Sequence, residues 1–314
     1  MSRWLPPLAN QLGTGGDHYR RTMEILRTPE DRFANLPDFS WQPKYVDING
    51  MRMAYLDEGE GEQTVLCLHG EPTWSFLYRK MIPVFLEAGM RVVAPDWFGF
   101  GRSDKPEADA DYTWDFHHSS MLRFVESLGL ENVTLVVQDW GGLLGLTLPV
   151  SHPEMIQRLL IMNTGFGVGT KPTDGFLAWR DYVANTPDFN VGELMGRAEP
   201  SLTPAEVAAY DAPFPDHRFK AGVRRFPMLV PTTEDADGVE VSRAAAMWWA
   251  TEFSGESFMA IGVNDPVLGE PVMRKMHQFI KGCPEPMVVD AGHFVQEHGE
   301  PIARAALQSW GLLP

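Results

Sequence analysis

The chain has 314 residues, 44% hydrophobic and 22% charged, the proportions of a globular protein long enough for a large core, either as one domain or as a domain with an insertion. Its 26 Lys and Arg against 42 Asp and Glu leave a formal charge of −16, which argues against nucleic acid or an anionic membrane as a partner. Two cysteines, Cys67 and Cys283, make no disulfide framework. With no signal-peptide pattern and no run near the ~18 apolar residues of a membrane span, the cytoplasm is the expected location.

Residues 1–40 are polar and broken by Gly and Pro, and read as an N-terminal extension along the surface. Strand-like runs follow at 44–49, 51–57, 63–68, 90–95, 133–138, 158–163, 256–262 and 286–290. From 63 onward they tend to be continuously apolar, as in Val65-Leu66-Cys67-Leu68, which suits parallel strands buried on both faces. Helical stretches alternate with them at 75–88, 114–129, 141–152, 240–252, 271–280 and 299–312. The alternation predicts an α/β fold, a mostly parallel eight-stranded sheet flanked by helices.

One region breaks the pattern. Between Asn163 and about 230 there is no strand signal, only short helical pieces divided by Pro172, Pro187, Pro200, Pro213, Pro215 and Pro227. Thr203-Pro204-Ala205-Glu206 has the form of a capping box with Pro at the first helical position. The expected organisation is a core of 41–163 and 231–314 with a helical cap, 164–230, inserted after the sixth strand.

The chemistry-bearing residues fall in loops just past strand ends, where open α/β sheets place their ligands. Val136-Val137-Gln138-Asp139-Trp140-Gly141-Gly142 passes from an apolar strand straight into a helical pattern. This is the layout of a nucleophile elbow, with Asp139 where Ser commonly stands. On its own Asp139 reads equally well as a helix N-cap. As a nucleophile, a carboxylate suits a saturated carbon bearing a leaving group. A Ser would form an inert ether there, whereas Asp forms an ester that water can hydrolyse. His69-Gly70-Glu71-Pro72 follows the third strand; it is a simple turn or the loop that supplies an oxyanion-hole N–H from Glu71, alongside that of Trp140. Asp265, after the seventh strand, starts an Asp-Pro turn and can also orient a histidine. His293, behind Gly292 after the eighth strand, is the best placed base among nine histidines, none of which has metal-site spacing. Asp139, Asp265 and His293 occur in the nucleophile–acid–histidine order of an α/β-hydrolase, and no competing G-x-S-x-G exists.

The loops His69-Gly70-Glu71-Pro72-Thr73-Trp74, Asp96-Trp97-Phe98-Gly99-Phe100-Gly101-Arg102-Ser103-Asp104, Gln138-Asp139-Trp140-Gly141-Gly142 and Ala291-Gly292-His293-Phe294 resemble those of the haloalkane dehalogenases, across roughly 30–314. Asp265 matches the branch whose acid follows the seventh strand; Asn163 stands where the other branch has its acid. The resemblance implies that a departing halide is bound by Trp140 and by a Trp on the first cap helix, for which Trp179 is the candidate, although packing alone would also explain it. Phe166, Phe176, Phe226, Pro227 and Leu268 are expected to line the substrate pocket. The implied reaction converts a small halogenated alkane and water to alcohol, halide and a proton, with no cofactor and no metal. Two rivals stand beside it. An epoxide hydrolase shares the elbow Asp and would use cap tyrosines, for which Tyr182 and Tyr210 are available. A non-catalytic binding protein of the same fold would have no need of all three residues Asp139, Asp265 and His293.

Overall fold

The computed structural model describes residues 23–314, so the greater part of the 1–40 extension, residues 1–22, lies outside the described residues. The eight strands are β1 (Lys44–Ile48), β2 (Met51–Glu58), β3 (Thr64–Leu68), β4 (Arg91–Pro95), β5 (Val133–Val137), β6 (Ile156–Met162), β7 (Glu256–Gly262) and β8 (Met287–Val289). Their order across the sheet is β8-β7-β6-β5-β3-β4-β2-β1, and only β2 runs against the rest. Every residue of β3 and β5 is buried, as their unbroken apolar sequence demands of central strands covered on both faces. The β1–β2 hairpin turns on Asn49 and Gly50 with φ of 58° and 80°, the pair of positive values a two-residue hairpin needs.

Helices α1 (Ile82–Glu87), α2 (Trp114–Ser127), α3 (Trp140–Gly145), α10 (Glu270–His277) and α11 (Gly299–Ser309) pack on the sheet, and α4 (Leu148–Ser151) packs against α9 (Val239–Thr251). The single helix expected at 141–152 is two, α3 and α4. Pro149 cannot donate to the carbonyl of Gly145 and its ring crowds that carbonyl, so the helix breaks. The stretch 75–88 likewise splits into a 3-10 turn, Ser75–Tyr78, and α1.

Between β6 and α9 come α5 (Asp174–Asn185), α6 (Val191–Ala198), α7 (Pro204–Asp211), a 3-10 turn and α8 (Ala221–Leu229). The capping box at Thr203 and Glu206 forms with both its hydrogen bonds. Pro227, expected to separate helical pieces, lies inside α8 instead. The described part of the N-terminal extension does more than cover the surface. Phe33 and Phe39 are buried against Trp74, at centroid distances of 5.5 and 5.3 Å, and Ile25–Leu26 pairs with Lys105–Pro106. No helix among the described residues is long and apolar enough to cross a membrane.

A buried ion cluster fastens α7 to the core. The Arg79 guanidinium, with no side-chain exposure, grips Glu297 through two bonds of 2.7 Å and reaches Glu206 on α7 at 2.6 Å. Tyr210, also on α7, donates to Glu297. Without Arg79 the buried Glu297 is left with the part-exposed Lys80 at 2.9 Å, and Glu206 loses its ion pair. Arg79→Met is therefore expected to lower the free energy of unfolding in urea by roughly 3 kcal/mol or more. A loss below about 1 kcal/mol, the scale of an exposed pair, would show the cluster to be dispensable.

Candidate active site

β5 ends at Val137, and Asp139 follows with φ 49° and ψ −126°, a backbone state that side-chain-bearing residues rarely occupy and that sharp functional turns maintain. The turn closes against β3 because Gly141 has no Cβ; one there would collide with the carbonyl oxygen of Leu68. The backbone carbonyl of Asp139 accepts the N–H groups of Gly142 and Leu143 at 2.9 and 3.0 Å and so begins α3, but its side chain makes no capping bond. The helix-cap reading of Asp139 fails on that point. Its carboxylate turns instead to the loop after β3, where Oδ2 accepts the Glu71 N–H at 2.8 Å, and it also takes the N–H of Trp140. Gly70 makes that approach possible, since a Cβ on it would lie 2.5 Å from Cβ of Asp139. The His69 ring is structural. It is fully buried between Gly70 O and the Trp97 N–H, and burial pushes its pKa down to about 4.

The structure brings the three candidates together. Nδ1 of His293 lies 2.8 Å from Oδ2 of Asp265, and its Nε2 lies 3.7 Å from Oδ1 of Asp139. Asp265 is fixed from both sides: Oδ1 accepts the Val267 N–H at 2.8 Å, and Oδ2 accepts the Asn163 amide at 2.9 Å. Burial works against the charge of Asp265, but the His293 charge and these hydrogen bonds prevail and hold its pKa at about 2. For His293, burial again opposes the charge, while Asp265 and then Asp139 push the pKa up to about 9. Asp139 itself is raised by burial, against the pull of His293 and the two backbone N–H groups.

In front of Asp139 opens a cavity of ≈ 360 Å³. Glu71, Trp140, Trp179, His293, Phe176 and Pro227 are among its walls, joined by Leu194, Val230, Pro266 and Val267. Trp140 and Trp179 thus meet across one space. The indole of Trp179 is half-buried, flanked by the rings of Tyr182 and Phe189. The Glu71 carboxyl is buried with Oε1 unpartnered. Burial first and the Asp139 charge second push its pKa well above the carboxylate range, against a hydrogen bond from Trp179, so the neutral acid is favoured.

Three pocket expectations fail. Phe226, Phe166 and Leu268 are not among the lining residues. Phe226 is fully buried behind Trp140, stacked on it at 4.2 Å and 15°; one step along a helix turns the side chain by about 100°, and Pro227 takes the cavity face. Phe166 packs edge-on to Phe279 at 6.4 Å. Around the Asp265 turn it is Pro266 and Val267 that face inward, not Leu268. The sequence reading also missed the amide contacts of Asn163 and Gln138 to the acid and the histidine. The only signal was position, since both residues sit at strand ends beside candidates already singled out.

A family model described as the alpha/beta hydrolase fold matches residues 63–300. A haloalkane dehalogenase of Psychrobacter cryohalolentis is 42% identical over 91% of this chain and 98% of its own length. One from Mycolicibacterium paratuberculosis is 39% identical over 92% of this chain and 98% of its own. Among solved structures, the tetrameric haloalkane dehalogenase DpaA of Paraglaciecola agarilytica superposes with a TM-score of 0.89 at 50% identity, covering 91% of this chain and 99% of that one. The family model spans six of the eight strands, the elbow and the helices that wall the cavity, and this chain belongs to the haloalkane dehalogenase family of the α/β-hydrolase fold.

Proposed function

We propose that this protein hydrolyses small haloalkanes to alcohol, halide and a proton through an alkyl ester on Asp139. The observation that carries the reading is a single one: the elbow carboxylate, oriented by the N–H groups of Glu71 and Trp140, faces a mostly apolar cavity walled by two tryptophans and by His293. In this reading 164–230 is the cap, since α5, α6 and α8 contribute Phe176, Trp179, Leu194 and Pro227 to the wall.

Oδ1 of Asp139 attacks the halogen-bearing carbon in line. The C–O bond forms as the carbon–halogen bond breaks, and the bonding pair leaves with the halide. An anion freed in an apolar space costs a great deal unless it is hydrogen-bonded, and an indole N–H donates without competing as a nucleophile. Trp140 and Trp179 fill that role. Ester formation removes the negative charge of Asp139, and with it one of the two influences that keep His293 protonated. The imidazole, oriented by Asp265, then takes a proton from water as the water oxygen attacks Cγ of Asp139. The oxyanion forms at Oδ2, where the Glu71 N–H already stands at 2.8 Å. Its collapse expels the alkoxide, which takes the proton from His293 and leaves as the alcohol, while the acid left on Asp139 loses its proton to solvent and restores the carboxylate.

A specific observation disfavours the epoxide alternative. Opening an epoxide with cap tyrosines calls for one of their hydroxyls beside the ring oxygen. Tyr210 is fully buried and engaged with Arg79 and Glu297, Tyr182 is engaged by Arg197 at 3.3 Å, and neither lines the cavity. Styrene oxide should accordingly pass unchanged under conditions in which a bromoalkane is consumed.

With 1,2-dibromoethane or 1-bromobutane, Asp139→Asn is expected to abolish steady-state halide release; a rate near that of the unaltered protein would refute the assignment. His293→Phe should form the ester without hydrolysing it, so the intact mass rises by one alkyl group and persists. Absence of the adduct after one equivalent of halide has been released would place the base elsewhere. Trp179→Phe removes one donor to a charged acceptor, which is worth about tenfold or more in kcat/KM, and should weaken quenching of Trp fluorescence by bromide. An unchanged quenching curve would confine Trp179 to packing.

A further inference from the structure

The side chain of Gln138, the residue before the nucleophile, is fully buried and lies against the imidazole of His293. Its amide nitrogen is 3.0 Å from the His293 carbonyl oxygen and 3.1 Å from the His293 Nε2. A carbonyl oxygen can only accept, so the end of the amide turned toward His293 is the NH2 group. The opposite end agrees, because Gln138 Oε1 accepts from the Gln296 amide at 3.3 Å. With the amide oriented, one hydrogen serves the carbonyl and the second faces Nε2 of the ring.

That second hydrogen discriminates between protonation states. It is favourable when Nε2 carries a lone pair, which places the ring proton on Nδ1, where Asp265 Oδ2 receives it at 2.8 Å. It is unfavourable when Nε2 is protonated, because two donors then meet head to head with no water between them. The titratable groups facing the ring are Asp265 from the loop after β7 and Asp139 from the loop after β5, both of which favour the imidazolium. Glu71, from the loop after β3, stands beyond Asp139. The ring of Phe294 packs edge-on to it and carries no charge. Gln138 is thus the group on the ring that favours the neutral form.

We propose that Gln138 is a positioning residue that favours the neutral imidazole of His293, with its lone pair at Nε2, against the two carboxylates, so that the ring becomes a free base more readily once Asp139 is esterified. The kinetic consequence rests on the reading of His293 as the base; the protonation preference does not. A neutral hydrogen bond of ordinary strength corresponds to about one unit in the ring's titration midpoint. Without the amide hydrogen the midpoint moves up. With an acceptor in its place it moves further, since a carboxylate at position 138 would bind the imidazolium.

The test uses the full-length protein labelled with 15N-histidine, the His293 signals being assigned by their loss in His293→Phe. The ring is titrated in the unaltered protein, in Gln138→Met and in Gln138→Glu. The acid limb of ester hydrolysis is followed in parallel with 1-bromobutane by rapid quench and intact mass. The expected midpoints rise in the order unaltered, Gln138→Met, Gln138→Glu, with the acid limb following and the alkyl ester accumulating in Gln138→Glu at neutral pH. A uniform loss of rate with unmoved midpoints would mark Gln138 as mere packing and overturn the proposal. Should neither variant fold, scalar coupling across the N–H···N bond between Gln138 and His293 in the unaltered protein, above the ring's midpoint, decides the matter; its absence overturns the proposal. The titration is read without substrate, so a protein inert toward haloalkanes would sink the proposed function and leave this inference standing or falling separately.

Discussion

The carboxylate of Asp139 can point into a cavity only because its backbone is held at φ 49°. That strain is sustained by a ring of short contacts. The Asp139 N–H donates to Asn163 O at 3.0 Å, Thr164 donates its hydroxyl to Asp139 O at 2.7 Å, and the first turn of α3 takes up the same carbonyl. Three strands, β3, β5 and β6, therefore converge on one residue. Because they are adjacent parallel strands, their carboxyl ends open on the same edge of the sheet, and the loops after β7 and β8 deliver Asp265 and His293 to that edge as well. The geometry of the site is a consequence of strand order.

Two carboxyl groups then face one imidazole with a third behind them, and the surroundings sort the three into different states. Asp265 collects a histidine, an amide and a backbone N–H and stays ionised down to a pKa of about 2. Glu71 has an unpartnered oxygen, is buried beside a like charge and favours its neutral form. Asp139 lies between, raised by burial but supported by two backbone donors. One carboxylate that orients the imidazole, one favouring its neutral form and one held between them at the elbow is the division expected where environments push equivalent groups apart.

Much of this was legible in the residues. Strand-like runs, mostly continuously apolar from 63 onward, matched all eight strands to within about two residues, and the four loops at their ends held the candidate residues in plain sequence. What failed was local direction. Phe226 and Pro227 are neighbours in the chain, yet a helix turns one toward Trp140 and the other to the cavity; where Leu268 was expected, the turn presents Pro266 and Val267 instead. Large aromatics attract attention as pocket walls, but Phe166 and Phe226 are spent on packing. Pro149, read as part of one helix, splits it, and Pro227, read as a divider, sits inside one, because tertiary packing decides whether a missing N–H can be tolerated. The amides of Gln138 and Asn163 were invisible for another reason: an uncharged side chain acquires a role only from what faces it.

Charge conservation explains why so acidic a pocket can release an anion at all. In the proposed reaction the substrate is neutral, and alkylation creates no net charge. The negative charge passes from Asp139 to the halide, a displacement toward the indoles of Trp140 and Trp179, with Glu71 neutral beside them and Asp265 paired with His293. Hydrolysis moves a proton from water to His293, and the total falls by one only when a proton leaves the site. Asp139 then regains its charge while the halide still occupies the cavity, and at an effective dielectric of about 20 two such charges ~5 Å apart repel by roughly 3 kcal/mol. The step that restores the nucleophile thus weakens the hold on the product. An ionised Glu71 would impose the same repulsion from the outset, which is why the burial that favours its neutral form also favours the anion's arrival.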